Sequence, residues 1–307
     1  MLKYAFRRLL GAIPTLLVLV TLAFFLIRLA PGGPFDDERA VPDEIAANLN
    51  RAYKLDDPLL VQYGRYLASI VQGDFGPSFK YKDYSVSELI WGGFPVSLRL
   101  GGVAIVLAFL FGTLLGVWAA LRQNSAVDYT VMSLAMTGVV IPNFVMAPLL
   151  SLVLGVYLKL LPVGGWGGGQ MRYTILPTLA LCLPHIAYIA RLTRGSMLEV
   201  LRSNYIRTAR AKGMPARIVI GRHALRAALL PVVSYLGPAT AGIITGSVVV
   251  EQIFGIPGIG RYFVQGALNR DYTLVLGVVV FYGALIVLFN LLVDLVYGWL
   301  DPKIRYD

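Results

Sequence analysis

One cysteine, Cys182, and two histidines, His185 and His223, are all that 307 residues offer of the usual redox and metal-binding side chains. A single thiol excludes an intrachain disulfide, and no cluster of Cys and His can be drawn around it. Charged residues are scarce as well, at 14%, too few for an ordinary soluble surface. Equally absent are the short patterns that hold nucleotide phosphates or cleave bonds: GxxxxGK(S/T), HExxH and GxSxG do not occur. Nor are there the paired Asp, or the Ser and His on facing apolar runs, that an intramembrane hydrolase needs. The chain therefore reads as non-catalytic, with no metal site and no cofactor of its own.

What is abundant is apolar. Hydrophobic residues make up 57% of the chain, and the mean hydropathy of +0.70 belongs to a polytopic membrane protein. Six stretches are long enough to cross a hydrocarbon core of about 30 Å: Leu9–Leu29, Ser97–Leu121, Tyr129–Leu158, Thr174–Leu192, Pro231–Val250 and Thr273–Leu300. The first is too long for a cleavable signal. Lys3, Arg7 and Arg8 precede it, and Lys3, Arg7, Arg8, Lys303 and Arg305 put both ends on the cytoplasmic side. The expected fold is all-α, with six transmembrane helices and cytoplasmic termini. Its parts are the N-terminus and first span (1–29), an extracytoplasmic region (30–96), spans two to four (97–194), a cytoplasmic loop (195–230), spans five and six with an outer loop (231–300), and a tail (301–307).

The net charge of +10 is a matter of topology, and no nucleic-acid partner is inferred from it. Between Arg194 and Arg226 stand eight basic residues (Arg194, Arg202, Arg207, Arg210, Lys212, Arg217, Arg222, Arg226) against Glu199 alone, which assigns this loop to the cytoplasm. Within it Met197, Leu198, Leu201, Tyr205 and Ala209 recur at helical spacing, Gly213 suits a helix end, and Pro215 suits a helix start. A second helix, with Ile218, Val219, Leu225 and Leu229 on its apolar side, is expected from Pro215 towards Leu229. Anionic headgroups alone could satisfy such a basic loop, but they do not require a fixed glycine bend.

The region from Ala30 to Pro95 carries six basic against ten acidic side chains, the balance of a translocated segment. Two short helices are expected there, Pro42–Tyr53 and Pro58–Val71, followed by a turn over Gly73–Pro77. A second outward segment, Glu251–Tyr272, has an apolar tip that needs either a partner or a burial site among the chain's own spans. Glycine and proline are scattered through the spans, Pro142, Pro148 and Gly242 among them, as expected of helices that bend and pack closely. Arg28, Arg99 and Arg191 lie near interfaces and can snorkel. Asp294, one turn after Asn290, is the one candidate proton relay, and it reads better as a partner for an arginine or a helix end.

With no energy-converting site, a six-span protein is passive, gradient-driven or worked by another chain. RTARAKGMPARIVIGRHALRAALLP (Arg207–Pro231) resembles the cytoplasmic signature loop of importer-type ABC permeases. RLAPGGPF (Arg28–Phe35), GDFGPSFKYKDYSV (Gly73–Val86), GIPGIG with GALNRDY (within Gly255–Tyr272) and DPKIRY (Asp301–Tyr306) resemble the peptide branch of that family, end to end. The signature departs from the general pattern, reading Arg207, Thr208, Ala209 where Glu-Ala-Ala is usual.

The resemblance implies a bacterial inner-membrane, multi-pass permease subunit of an ATP-driven oligopeptide importer. Dipeptide, nickel or glutathione permeases are the nearest alternatives, and a proton-coupled carrier a more distant one. Implied partners are a second, similar permease, two cytoplasmic ATPases that bind ATP and Mg, an extracytoplasmic peptide-binding protein, and lipid. Tyr205, Ile206, Arg207, Thr208, Ala209, Arg210, Ala211, Lys212, Gly213, Met214 and Pro215 are the residues it implies for docking to an ATPase. Tyr205 and Ile206 would supply apolar contact, Arg207 and Arg210 charge. Phe254, Gly255, Ile256, Pro257, Gly258, Ile259 and Gly260 are the expected contact with the binding protein.

Overall fold

The computed structural model describes residues 2–29, 51 and 54–300. The expected helix Pro42–Tyr53, residue 51 apart, and the tail 301–307 lie outside the described residues. Among the described residues the elements are helices joined by turns and loops, with one isolated bridge between Pro77 and Ser85. Eleven helices position the site: α1 Leu2–Leu29, α2 Leu59–Val71, α3 Val86–Leu121, α4 Ala126–Val140, α5 Asn143–Leu150, α6 Met171–Leu201, α7 Asn204–Ala211, α8 Leu230–Gly246, α9 Val248–Phe254, α10 Ile259–Leu268 and α11 Tyr272–Leu300. Among the described residues five stretches are long and apolar enough to cross a membrane, six if one bent pair counts as a span.

The chain divides into two compact units. The first comprises residues 8–97 and 257–285. In it α2 packs on α1 through rings: Phe24 is buried, with Tyr63 and Tyr66 centred 5.4 and 5.9 Å away, and the Thr21 and Tyr63 hydroxyls are 2.6 Å apart. The second unit comprises residues 1–7, 98–256 and 286–307. It holds most of the membrane part and the basic loop.

Several boundaries differ from the sequence reading, and the largest shift has a local reason. Helix α3 starts at Val86, about three turns before Ser97. Ser85 and Glu88 form a reciprocal cap there, the Ser85 amide donating to Glu88 Oε2 at 2.8 Å and the Glu88 amide to Ser85 Oγ at 3.2 Å. The last span has a matching start, where Asp271, buried at 1% exposure, accepts from the Leu274 amide at 3.1 Å and from Ser78 Oγ at 2.5 Å.

The third expected span, Tyr129–Leu158, is not one helix. Ile141 is extended (ψ 115°) before Pro142, because a residue preceding proline is pushed out of the helical region. The helix direction bends by 107° between the two arms, and the second arm finishes as a π-helix, Ser151–Tyr157.

Helix α6 is the axis of the second unit. Glycines on α3 and α4 bring neighbouring backbones onto it: a Cβ at Gly112 would sit 2.7 Å from Ile189 Cβ, at Gly116 2.5 Å from the Ala190 carbonyl oxygen, and at Gly138 3.2 Å from Ala187 Cβ. At Gly116 the clash is with backbone, which cannot swing aside. Gly116→Leu is expected to lower folded yield and the detergent melting temperature, since forced overpacking costs about 1–3 kcal/mol; an unchanged melting curve would show that α3 and α6 can separate freely.

Candidate functional site

The basic loop folds into a bent elbow whose root is this same α6. The helix does not stop at Leu192 but continues to Leu201, so the apolar run through Met197, Leu198 and Leu201 belongs to α6 rather than to a separate loop helix. Arg202 and Ser203 then break it. Ser203 is extended (ψ 155°) at the N-cap of α7, and its carbonyl receives the Arg207 amide at 3.2 Å.

Helix α7 is short and two-faced. Ile206 (0% exposed) and Ala209 (5%) join a core with Met197, Ala120, Val219, Ala224 and Ala228. Tyr205, Arg207, Thr208, Arg210, Ala211 and Lys212 are exposed. Ile206 therefore does not offer the outward apolar contact expected of it. It anchors α7 to α6 within the chain, and small Ala209 permits that approach. Tyr205, at 48%, is the large apolar side chain that α7 leaves exposed, flanked by cations.

The bend falls on Gly213, as the sequence indicates. Its φ of +74° is a left-handed conformation that glycine adopts without penalty. The amide of Met214 reaches back to the Ala209 carbonyl at 3.3 Å and that of Lys212 to the Thr208 carbonyl at 3.0 Å, satisfying carbonyls that a helix end leaves open. A Cβ on Gly213 would meet nothing within 4 Å. Met214 is half-buried against the core, while Pro215 is exposed.

Pro215 begins the return arm (φ −64°), whose Ile218 and Val219 amides bond to its carbonyl. The expected helix towards Leu229 forms, but with a π-helical turn over Val219–Ala224. That wider turn shifts the facing of the arm: Val219 is buried, whereas Ile218, expected on the apolar side, is 39% exposed. Arg217, Arg222 and Arg226 point outward. Elbow and arm are thus a rigid cationic projection with a buried apolar underside.

One residue of this site was missed by the sequence reading. Asp128, 1% exposed, accepts from Arg194 Nε at 2.5 Å and Nη2 at 2.6 Å and from the Asn124 amide at 2.9 Å. Arg194, counted among the loop's topological cations, instead clamps the start of α4 to α6 one turn above Met197. Ser125 with Asp128 is a capping spacing, and that was the available signal.

The outward segment resolves the choice left open for its apolar tip in favour of packing. In the second unit Phe254 and Ile256 are buried at 2% and 1%, and the Phe254 carbonyl accepts from the Gly165 amide. In the first, the Ile259 amide donates to Ser97 Oγ at 3.0 Å, and a Cβ on Gly93 would come within 3.0 Å of the Gly258 backbone. Gly258 and Gly260 are buried too, Pro257 is half-buried and Gly255 exposed. Asp294 is half-buried on α11.

Comparison with known proteins gives this geometry a context. The family of binding-protein-dependent transport system inner membrane components matches residues 112–306, and the N-terminal component of the same systems matches residues 1–101. The oligopeptide transport system permease protein OppB of Salmonella typhimurium is 60% identical over 306 residues, covering 100% of both chains. The dipeptide transport system permease protein DppB of Bacillus subtilis is 48% identical, covering 99% of this chain and 98% of its own. Among solved structures, an inward-facing MetNI methionine ABC transporter chain superposes with a TM-score of 0.60 at 18% identity, over 70% of this chain and 97% of that one, a likeness of fold. An elbow rooted in a membrane helix, in a chain related from end to end to two peptide permeases, has one reading: the protein belongs to the family of inner-membrane components of binding-protein-dependent transport systems.

Proposed function

We propose that this chain is the permease subunit of an ATP-driven oligopeptide importer, forming half of a pathway whose other half is a second, similar permease. The observation that carries the mechanism is the elbow, whose exposed cations and Tyr205 face outward while Ile206 and Met197 share one buried core. A load applied to Tyr205, Arg207, Thr208, Arg210, Ala211, Lys212 or Gly213 reaches α6 without crossing a flexible joint. The load comes from a cytoplasmic ATPase, one of two that bind ATP and Mg, whose closure grips α7. Such an arrangement puts both termini and the elbow in the cytoplasm and six crossings in the membrane, the bent α4–α5 pair counting as one.

A binding protein delivers peptide at the opposite surface. Because Phe254, Ile256 and Ile259 are packed inside, the contact over Phe254–Gly260 is made through Gly255 and Pro257, with Gln252 and Ile253 exposed beside them. The 48% identity to a dipeptide permease supports a second reading in which shorter peptides are carried by the same mechanism.

The test is reconstitution with the partner permease, ATPases and binding protein in vesicles whose proton gradient is collapsed. ATP-dependent uptake of a labelled oligopeptide is expected; uptake that follows the gradient and ignores ATP refutes the proposal. Competition by dipeptides ranks the two substrates, and cross-linking from Ile253→Cys to the binding protein checks the outer contact.

A further inference from the structure

The exposed surfaces of the apolar helices are of two kinds. On α1 and α3 they are what lipid requires: Leu17, Leu22 and Leu26 on the one, Val106, Leu110 and Leu114 on the other, each between 48% and 66% exposed. Helices α4 and α11 likewise expose Leu134, Val140, Leu288 and Leu292. Among the described residues, α8 exposes no large hydrophobic side chain, and α6 exposes only its first residue, Met171.

What α8 shows outward is Pro231, Ser234, Pro238 and Gly242, one above another at spacings of about one helical turn. Beside them a ladder of polar and aromatic groups links α8 to α6. Tyr235 Oη lies 2.7 Å from His185 Nδ1. Its ring is stacked on Tyr188 at 4.2 Å with 27° between planes, and the Arg191 guanidinium stands over Tyr188 at 5.3 Å. The three ring side chains are half-buried and Arg191 is exposed. None of these groups is a coupling residue.

An imidazole, two phenols and a guanidinium on an open face of two membrane helices are costly against lipid, and such groups face a water-filled cavity or another protein. A second subunit packed here could use the small residues of α8. It would, however, have to bury Arg191, for which the described residues of this chain provide no ion pair, and interface cores are depleted of charge.

We infer that the open faces of α6 and α8 form a wall of the peptide's pathway, with the ladder from His185 to Arg191 as its contact with the passing main chain. A peptide of any sequence brings amide groups and a terminal carboxylate. Phenol and imidazole exchange hydrogen bonds with the amides, and Arg191, held over Tyr188, meets the carboxylate. Ser234 and Gly242 leave room for side chains of any size. Such a surface grips what all peptides share and ignores what distinguishes them, which suits transport of many sequences with fast release. The inference rests on the reading of this chain as a peptide permease.

Thiol labelling tests it, with the native Cys182 an internal control because it is 1% exposed. Ser234→Cys and Gly242→Cys are assembled with the partner chains in vesicles and treated with a charged, membrane-impermeant maleimide, with lipid-facing Val106→Cys alongside. Modification at 234 and 242 is expected about tenfold faster than at 106, as follows from water access to the thiolate, and is slowed at least about threefold by peptide during ATP turnover.

Arg191→Gln is expected to erase the preference of uptake for a free over an amidated C-terminus, measured at saturating binding protein loaded with each peptide. Charged labelling that peptide leaves unchanged assigns the face to water outside the peptide's path, and thiols that react only with a lipid-soluble maleimide or not at all assign it to lipid or to the second subunit; each overturns the inference. ATP-driven uptake with silent thiols defeats only this wall; absence of ATP-driven uptake defeats the functional reading and the wall together.

Discussion

Gly213→Asp is expected to abolish peptide uptake while the protein still inserts, folds and melts close to the wild-type temperature. The reason lies in what surrounds Gly213. Its φ of +74° would strain most side chains, but Asp and Asn are the residues that visit this region most readily after glycine. Inside the chain the new Cβ finds open space, so the fold loses little. Outside, in the docking to an ATPase proposed above, the carboxylate would enter a cleft matched to Arg207, Arg210 and Lys212. A misplaced charge buried at a docked surface costs about 3 kcal/mol or more, and at about 1.4 kcal/mol per tenfold that is a loss of about a hundredfold.

Gly213→Asn separates the causes, since it keeps the backbone conformation and omits the charge. Uptake by Gly213→Asn should fall between the two. Transport assay, immunoblot of membranes and co-purification of the ATPase check the set. Normal uptake by a well-inserted Gly213→Asp protein would end the coupling role of the elbow.

Breaking the Asp128–Arg194 pair should cost stability asymmetrically. Asp128 is 1% exposed on its side chain and Arg194 26%. Arg194→Leu leaves a carboxylate sealed away from water and without its cation, for which a loss of about 2–4 kcal/mol is expected. Asp128→Asn leaves a guanidinium that can still reach solvent and an amide oxygen that can still accept from it, so its cost should be less than half of that. Replacing both by leucine removes the charge problem altogether and should recover most of the stability lost in the single Arg194→Leu protein. Thermal unfolding of the purified complex measures all three. Equal losses for the two single variants would mean that the pair is as wet as a surface salt bridge, worth about 1 kcal/mol or less.

Where the sequence was legible, a single residue type had one physical use. Gly213 and Pro215 mark the bend because only glycine takes a left-handed helix end freely and only proline lacks the amide that a helix start leaves idle. Charge bias located the elbow for a reason equally simple. What escaped depended on partners distant in the chain. Nothing near Ile206 tells that its side chain turns inward, since that follows from where Met197 and Val219 come to rest. Asp128 needs Arg194, 66 residues on, before its burial makes sense. Two failures were of a different kind: Ser85 with Glu88, and Ile141 before Pro142, were readable local signals, overridden by the assumption that an apolar run and its helix share ends.

The length of α6 has a consequence for the membrane around it. Its 31 residues extend about 46 Å at about 1.5 Å per residue, some 16 Å more than a hydrocarbon layer of about 30 Å. Thinning or thickening of the bilayer by a few ångströms therefore changes which residues of α6 meet lipid tails, while a helix of this length still reaches beyond the hydrocarbon in either case. Growth temperature and acyl-chain composition should then alter the ease with which the helices slide past one another far more than they alter the fit of the elbow to whatever turns it.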